Sequence, residues 1–196
     1  MTRSMVAPSG GMSISILFGT TSLLAVTVTF ERRGRSFERL LLAPLSLELL
    51  VLAKTLGAIL FGLANAFVPM ALAALLTDLH DVAWPAVVAA SALLAAAATF
   101  LGLLIAVSVT EVFEAQMLAN LFRFPMLFLC GLFFPIADLP ALLRPLAYAL
   151  PVTYGVDALR GAVRTGPTLP AGLDFLMLAL FSLGLGSVAL PPDVDQ

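Results

Sequence analysis

The residues able to do chemistry are few, and their placement argues against catalysis. Histidine occurs once, at His80, and cysteine once, at Cys130. A lone thiol rules out an intramolecular disulfide and a multi-cysteine metal site, and inside an apolar run it reads as a small core residue. His80 stands in the acidic loop TDLHDVAW and reads as a solvated loop residue. The sequence has no GxxxxGK[ST] loop to cradle nucleotide phosphates, no HExxH pair to hold zinc and no GxSxG elbow to present a nucleophile. What remains is a handful of polar groups set among apolar ones. Asn65 lies in an uncharged apolar stretch, where an amide needs either an interhelical partner or a substrate contact. Arg123 is expected to pair with Glu111 or Glu114 and to orient one helix end, with no part in proton transfer. No cofactor-binding residue is expected in this chain, and no nucleic acid is expected as a partner.

The elements that position these groups follow from composition. Of 196 residues, 61% are hydrophobic and 11% charged, with a mean hydropathy of +1.07. A soluble domain carries about 25% charged residues, so there are too few polar side chains here to cover a folded surface in water. The class is an all-α integral membrane bundle. Spanning roughly 30 Å of hydrocarbon takes about 20 apolar residues, and five windows serve: 11–30, 55–76, 85–109, roughly 118–135, and 172–190. The N-terminal MTRSMVAPSGG has no A-x-A-like cleavage site after a short apolar core, so no signal peptide is expected. Before the last window, the stretch from Asp138 to Pro170 is apolar but broken by Pro140, Pro145, Pro151, Pro167 and Pro170. Proline stops helices, so short re-entrant or interfacial helices packed against the bundle are expected there. Ser182 with Gly186, Gly62 with Ala66, and Ala98 with Gly102 have the small-xxx-small spacing that lets helices approach closely. Neither repeats nor a linker interrupt the chain, so residues 1–196 read as a single domain.

Charge sets the orientation. Five of the ten basic residues, Arg32, Arg33, Arg35, Arg39 and Lys54, stand between the first two windows, whereas TDLHDVAW holds none. The positive-inside rule therefore puts the first connector in the cytoplasm. Alternation then puts TEVFEAQ and the C-terminal tail inside and the proline-broken segment outside. Within the connector, Phe37, Leu40, Leu41 and Pro44 or Leu45 recur on one helical face, with Glu38 and the arginines on others. That is an amphipathic interfacial helix broken at Pro44. Ser46 is placed to cap a new helix leading through Lys54 into the second window. Periodicity leaves two readings open: an anchor resting on lipid headgroups, or a helix that docks a protein.

Two stretches resemble a known family. FERRGRSFERLLLAPLSLELLVLAK, residues 30–54, is similar to the cytoplasmic segment of membrane subunits of type-2 ABC exporters, the drug-resistance and nodulation-type permeases. Glu31, Arg32, Gly34, Glu38, Leu41, Pro44, Ser46 and Lys54 fall on that pattern in order, with Arg35-Ser36 where threonine is usual. CGLFFPIADLPALLRPLAYALPVTYGVDALRGAV, residues 130–163, resembles the family's signature before its last span. Gly131, Phe133, Phe134, Pro135, Leu139, Pro140, Pro151, Thr153, Tyr154, Asp157, Leu159 and Arg160 match, with Leu150 where asparagine is common.

The resemblance, which covers the chain from Gly11 onward, implies a multi-pass permease subunit of the cell membrane. It would work as a homodimer or with a second permease copy, alongside a separate ABC ATPase. That ATPase would take hold of the cytoplasmic helix at Glu31, Arg32, Gly34, Glu38, Arg39 and Pro44. The external pieces, with Pro135, Pro140, Pro151, Tyr154, Asp157 and Arg160, would close an outer gate. The substrate would be a drug, lipid or polysaccharide, with no nucleotide site in this chain. Family permeases have six spans, so this five-span chain is expected to correspond to a member without the first. The alternatives are an ATP-independent channel or secondary transporter, which the shortage of carboxylates inside the windows disfavours, and a non-transporting membrane scaffold.

Overall fold

A computed structural model describes residues 3–33, 47–75, 82–133, 136–163 and 169–189. Among them the elements are all helical: α1 (Arg3–Arg33), α2 (Leu47–Ala74), α3 (Trp84–Ser108), α4 (Val112–Leu129), a 3-10 turn (Ile136–Asp138), α5 (Arg144–Tyr148), α6 (Pro151–Ala162) and α7 (Ala171–Ala189). Three of these are long and apolar enough to cross a membrane, over Ser9–Phe30, Val51–Ala74 and Trp84–Ser108. The apolar part of α7, Gly172–Val188, is shorter.

α1 is the hub, touching α2, α3, α4 and α6. The cause is a stripe of helical period: Met12, Ile16, Leu17, Leu24, Ala25 and Val28 are buried together with Ser13, Thr20, Thr21 and Thr29. Most of these hydroxyls are satisfied inside the helix. Ser13 Oγ donates to the Ser9 carbonyl (2.9 Å), Thr20 Oγ1 to Ile16 (2.6 Å) and Thr29 Oγ1 to Ala25 (2.7 Å). Thr21 turns outward and donates to the Ala98 carbonyl of α3 at 3.3 Å.

Small residues set the helix separations, as their spacing predicts. A Cβ built on Gly102 would lie 2.9 Å from the Thr21 carbonyl oxygen, and one on Gly62 would collide with the Thr20 methyl. A Cβ on Gly186 would touch the Phe100 ring at 3.4 Å. Ser182 Oγ donates to Leu178 one turn back (2.8 Å) and reaches the Leu93 carbonyl of α3 (3.4 Å). Hydrophobicity does not draw helices together in lipid, so this close contact is what holds them. α3 is the most enclosed span, with 61% of its apolar window buried, against 22% for α2. α2 instead exposes Leu52, Leu56, Leu60, Val68 and Leu72, the side chains suited to acyl chains.

The contacts give the helix directions. Gly11 packs on Pro69 and Gly19 on Asn65, so α1 and α2 are antiparallel. Gly10 meets Leu132 and Phe18 meets Arg123, so α4 also opposes α1. Leu24 and Val28 cluster with Ala58, Leu103 and Ala106, so α3 runs with α1. The C-terminal ends of α1, α3 and α7 thus share one end of the bundle with the N-terminal ends of α2 and α4. α6 packs at the other end.

One boundary needs correction. The fourth window was expected at 118–135, but α4 occupies Val112–Leu129 and so takes in part of TEVFEAQ. Two backbone positions fix it. Glu111 is extended at the N-cap (φ −104°, ψ 138°), and Gly131 adopts φ +80° just past the C-terminus. A left-handed glycine ends a helix at no steric cost, so Gly131, Leu132 and Phe133 leave the helix despite their apolar character.

Candidate functional site

Three places carry the residues picked out by sequence. The first is the first connector. Glu31 and Arg32 close α1 at the end it shares with the start of α2. Gly34, Glu38, Arg39, Pro44 and Pro135 lie outside the described residues.

The second place is the cap formed by α5, α6 and the 3-10 turn. Pro151 opens α6 with N-cap Leu150 extended (φ −102°, ψ 130°), the position where a missing N–H costs nothing. Residues 151–159 are buried throughout, and α6 packs on α3, α7 and α1. The short proline-bounded helices and their packing on the bundle are as the sequence implied. Side chains staple the cap to backbone carbonyls. Tyr154 Oη donates to the Tyr148 carbonyl (2.8 Å), Thr153 Oγ1 to Ala147, and Arg160 Nη2 to Gly131 (2.7 Å). Asp157 Oδ2 accepts the Leu169 N–H at 2.7 Å, holding the approach to α7. The Ala83 N–H donates to the Ala162 carbonyl at 2.9 Å, joining the C-terminus of α6 to the start of α3. Gly155 fits beneath Leu94, whose methyl would lie 2.6 Å from an added Cβ. Burial, with Tyr148 and Asp174 nearby, pushes the Tyr154 phenol above its ordinary value, so it stays a donor at neutral pH. Pro140, by contrast, is exposed and outside this bonded set.

A cavity of about 70 Å³ lies between α4 and the cap, lined by Cys130, Ile136, Thr153, Asp157, Arg160 and Leu169 among others. Small-molecule sites run to several hundred Å³, so this space suits water. Among the described residues no group of three or more His, Cys, Asp or Glu is placed to hold a metal. Cys130 is free and buried, in keeping with a core residue.

The bonding at Asp157 makes a graded prediction. Asp157→Asn keeps an oxygen to accept the Leu169 N–H and is expected to melt within about 1 kcal/mol of the parent, whereas Asp157→Leu strands a buried donor and is expected to cost about 1–3 kcal/mol. A thermal scan of the purified variants checks this; equal melting of the two would remove the bond from the account.

The third place is the mid-bundle level of α1 residues 18–19. Asn65 packs against Gly19, whose absent side chain leaves it room: a Cβ there would stand 2.9 Å from Asn65 Nδ2. On the α4 side, Arg123 sits with its guanidinium 5.1 Å from the centroid of the Phe18 ring. Pairing of Arg123 with Glu111 or Glu114 was expected and is absent. Its hydrogen-bond partner is Asn120 Oδ1, at 3.1 Å. The geometry explains the correction, since Glu114 lies nine residues earlier on α4, about 13 Å along the axis. Sequence reasoning also passed over Asp174, which is buried in the first turn of α7 within electrostatic reach of Asp157. The spacing Gln116–Asn120–Arg123, at i, i+4 and i+7 on an apolar helix, was the available signal for a polar face.

Apolar helices packed through small residues, with a cap of short helices stapled to backbone carbonyls, define a helical membrane bundle. The chain matches the family described as ABC-2 type transporter over residues 2–163. It belongs to that family and is an ABC transporter permease. No curated protein matches it.

Proposed function

We propose that this chain is the permease subunit of an ABC exporter of the cell membrane, moving a drug, lipid or polysaccharide with energy from ATP hydrolysed by a separate subunit. Two permease copies, alike or not, form the pathway. The observation that carries the reading is the two-ended architecture of a family member. α1 ends and α2 begins at one end of the bundle, flanking the arginine-rich connector, and α6 packs at the other. An ATPase that grips the connector at Glu31, Arg32, Gly34, Glu38, Arg39 and Pro44 moves α1, and α1 touches α2, α3, α4 and α6 alike. Motion at one end thereby reaches Pro140, Pro151, Tyr154, Asp157 and Arg160 at the other, and the outer gate takes in Pro135 as well. Asn65, packed on α1, moves with it.

The test is a search of the neighbouring genes for a P-loop ATPase, followed by co-expression of that ATPase with this chain. The complex is expected to co-purify, and Arg32→Glu with Arg39→Glu to abolish permease-stimulated ATP hydrolysis while leaving the melting temperature of the permease alone unchanged. Failure to co-purify, together with no effect of the charge reversals, would overturn the coupling and leave an ATP-independent pathway or a scaffold.

A further inference from the structure

Arg123 is the least comfortable residue in the bundle. It is 1% exposed, the largest fully buried side chain, and it sits about halfway along the membrane-crossing face of α1. Of its donors, Nη1 is bonded to Asn120, but Nε and Nη2 have no hydrogen-bond partner among the described residues. A guanidinium is a five-donor fork shaped to grip a two-oxygen anion. Leaving such a charge buried with donors unmade is costly, and within a membrane bundle such residues mark ligand pathways. The Phe18 ring offsets part of the cost by presenting its negative face. Among the described residues no carboxylate is bonded to the guanidinium.

The approach to it is polar on one side and apolar on the other. Gln116 Nε2 donates to Asn120 Oδ1 (3.4 Å), and Asn120 in turn accepts from Arg123. This ladder climbs α4 from the end that α4 shares with the C-terminus of α1, and Gln116 and Asn120 are both partly exposed. The remainder of α4 exposes Met117, Leu121, Phe122, Phe124 and Phe128. A headgroup can therefore travel along amides while an attached chain stays against apolar side chains. The 70 Å³ cavity lies elsewhere, at the cap.

From this we propose that Arg123, reached along Gln116 and Asn120, recognises the anionic headgroup of an amphiphile, a phosphate or carboxylate joined to an apolar chain. The bundle as described is the occluded form, and parting α4 from Phe18 of α1 exposes the two unmade donors. The inference rests on the permease reading by naming its substrate class. It commits to a small amphiphile rather than an acidic residue of a second copy, because the guanidinium is enclosed by this chain's own helices.

The experiment is equilibrium binding of radiolabelled hexadecyl phosphate to the full chain in non-ionic detergent, without an ATPase. Hexadecyltrimethylammonium and inorganic phosphate serve as competitors. The parent is expected to bind and to be displaced by unlabelled hexadecyl phosphate alone. Arg123→Gln is expected to lose roughly 10- to 100-fold in affinity, the size of a lost charge-assisted hydrogen bond, and Arg123→Lys to recover part of it. Arg123→Leu relieves a buried charge, so it is expected to fold and to melt higher than the parent while failing to bind. Unchanged affinity in Arg123→Gln, or displacement by hexadecyltrimethylammonium, would overturn the proposal. Displacement by inorganic phosphate would overturn the amphiphile and assign the site to soluble anions. Binding that survives while co-purification with the ATPase fails would discard the exporter and keep the site.

Discussion

Gly102→Val is expected to give a protein that fails to assemble its bundle. A Cβ at position 102 would stand 2.9 Å from the Thr21 carbonyl oxygen and 3.1 Å from the Thr21 Cα, and both of these are backbone atoms. A side-chain end can rotate away, but main chain can give way only if α1 and α3 move apart. That separation would break the Thr21 Oγ1 bond to Ala98, one turn from Gly102, and open the cluster of Leu24, Val28, Ala58, Leu103 and Ala106. Overpacking of a tight contact costs about 1–3 kcal/mol. Here the strain falls on the hub helix, so a cost at or above about 3 kcal/mol is expected. Fluorescence-detected gel filtration after heating checks it, and a monodisperse peak with the parent's melting point would refute it. Gly155→Ala is the informative contrast. The three atoms nearest its new Cβ, at 2.6–3.0 Å, all belong to the Leu94 side chain and none to backbone, so a smaller loss is expected, relieved by Leu94→Ala in the same chain.

Arg160→Ala is expected to have the largest effect on transport. Arg160 Nη2 donates to the Gly131 carbonyl at 2.7 Å across 29 residues of sequence. It ties α6 to the point where α4 turns out of its helix. Hydrogen bonds to charged groups contribute about 1.5–3 kcal/mol, enough to shift a closed cap toward an open one by roughly 10- to 100-fold. The expected result is a protein that still inserts and melts as a single transition, yet leaks a small solute from loaded vesicles without ATP. Arg160→Lys, which can reach the same carbonyl with one donor, is expected to leak less. Tight vesicles with Arg160→Ala would show that the cap is held shut by its packing on α3 and α7 alone.

How far the sequence reaches depends on the kind of force involved. Apolar runs near spanning length are dictated by the thickness of hydrocarbon, so the windows at 11–30, 85–109 and 172–190 agree with their helices to within a few residues, apart from the N-terminal extension of α1. Prolines 140, 145 and 151 broke the cap where the structure breaks it, because proline acts locally. Gly62, Ala98, Gly102, Ser182 and Gly186 were legible as contact positions for the same reason: a missing Cβ is a local fact with an interhelical result. The ends of α4 were illegible because hydropathy says nothing of backbone conformation: extended Glu111 sets the start, and left-handed Gly131 decides where the apolar run stops being helix. Arg123 was misassigned because charge pairing was judged from sequence proximity, whereas its neighbour Phe18 comes from another helix. The staples at Tyr154, Asp157 and Arg160 end on backbone carbonyls and an amide, which carry no residue-type signature at all.

The self-contained hydroxyls of α1 bear on how the protein is made. The hub helix leaves the ribosome before α2, α3, α4 and α6, the described helices that it touches. A serine or threonine that depended on a later helix for its hydrogen bond would wait in hydrocarbon with an unmet donor. Ser13, Thr20 and Thr29 instead close on carbonyls of their own helix, four residues back. α1 can thus enter the bilayer alone, already satisfied, and remain there through translation. Thr21 keeps its bond in reserve for Ala98 of α3, a bond that forms when the third described helix arrives and seats beside the first.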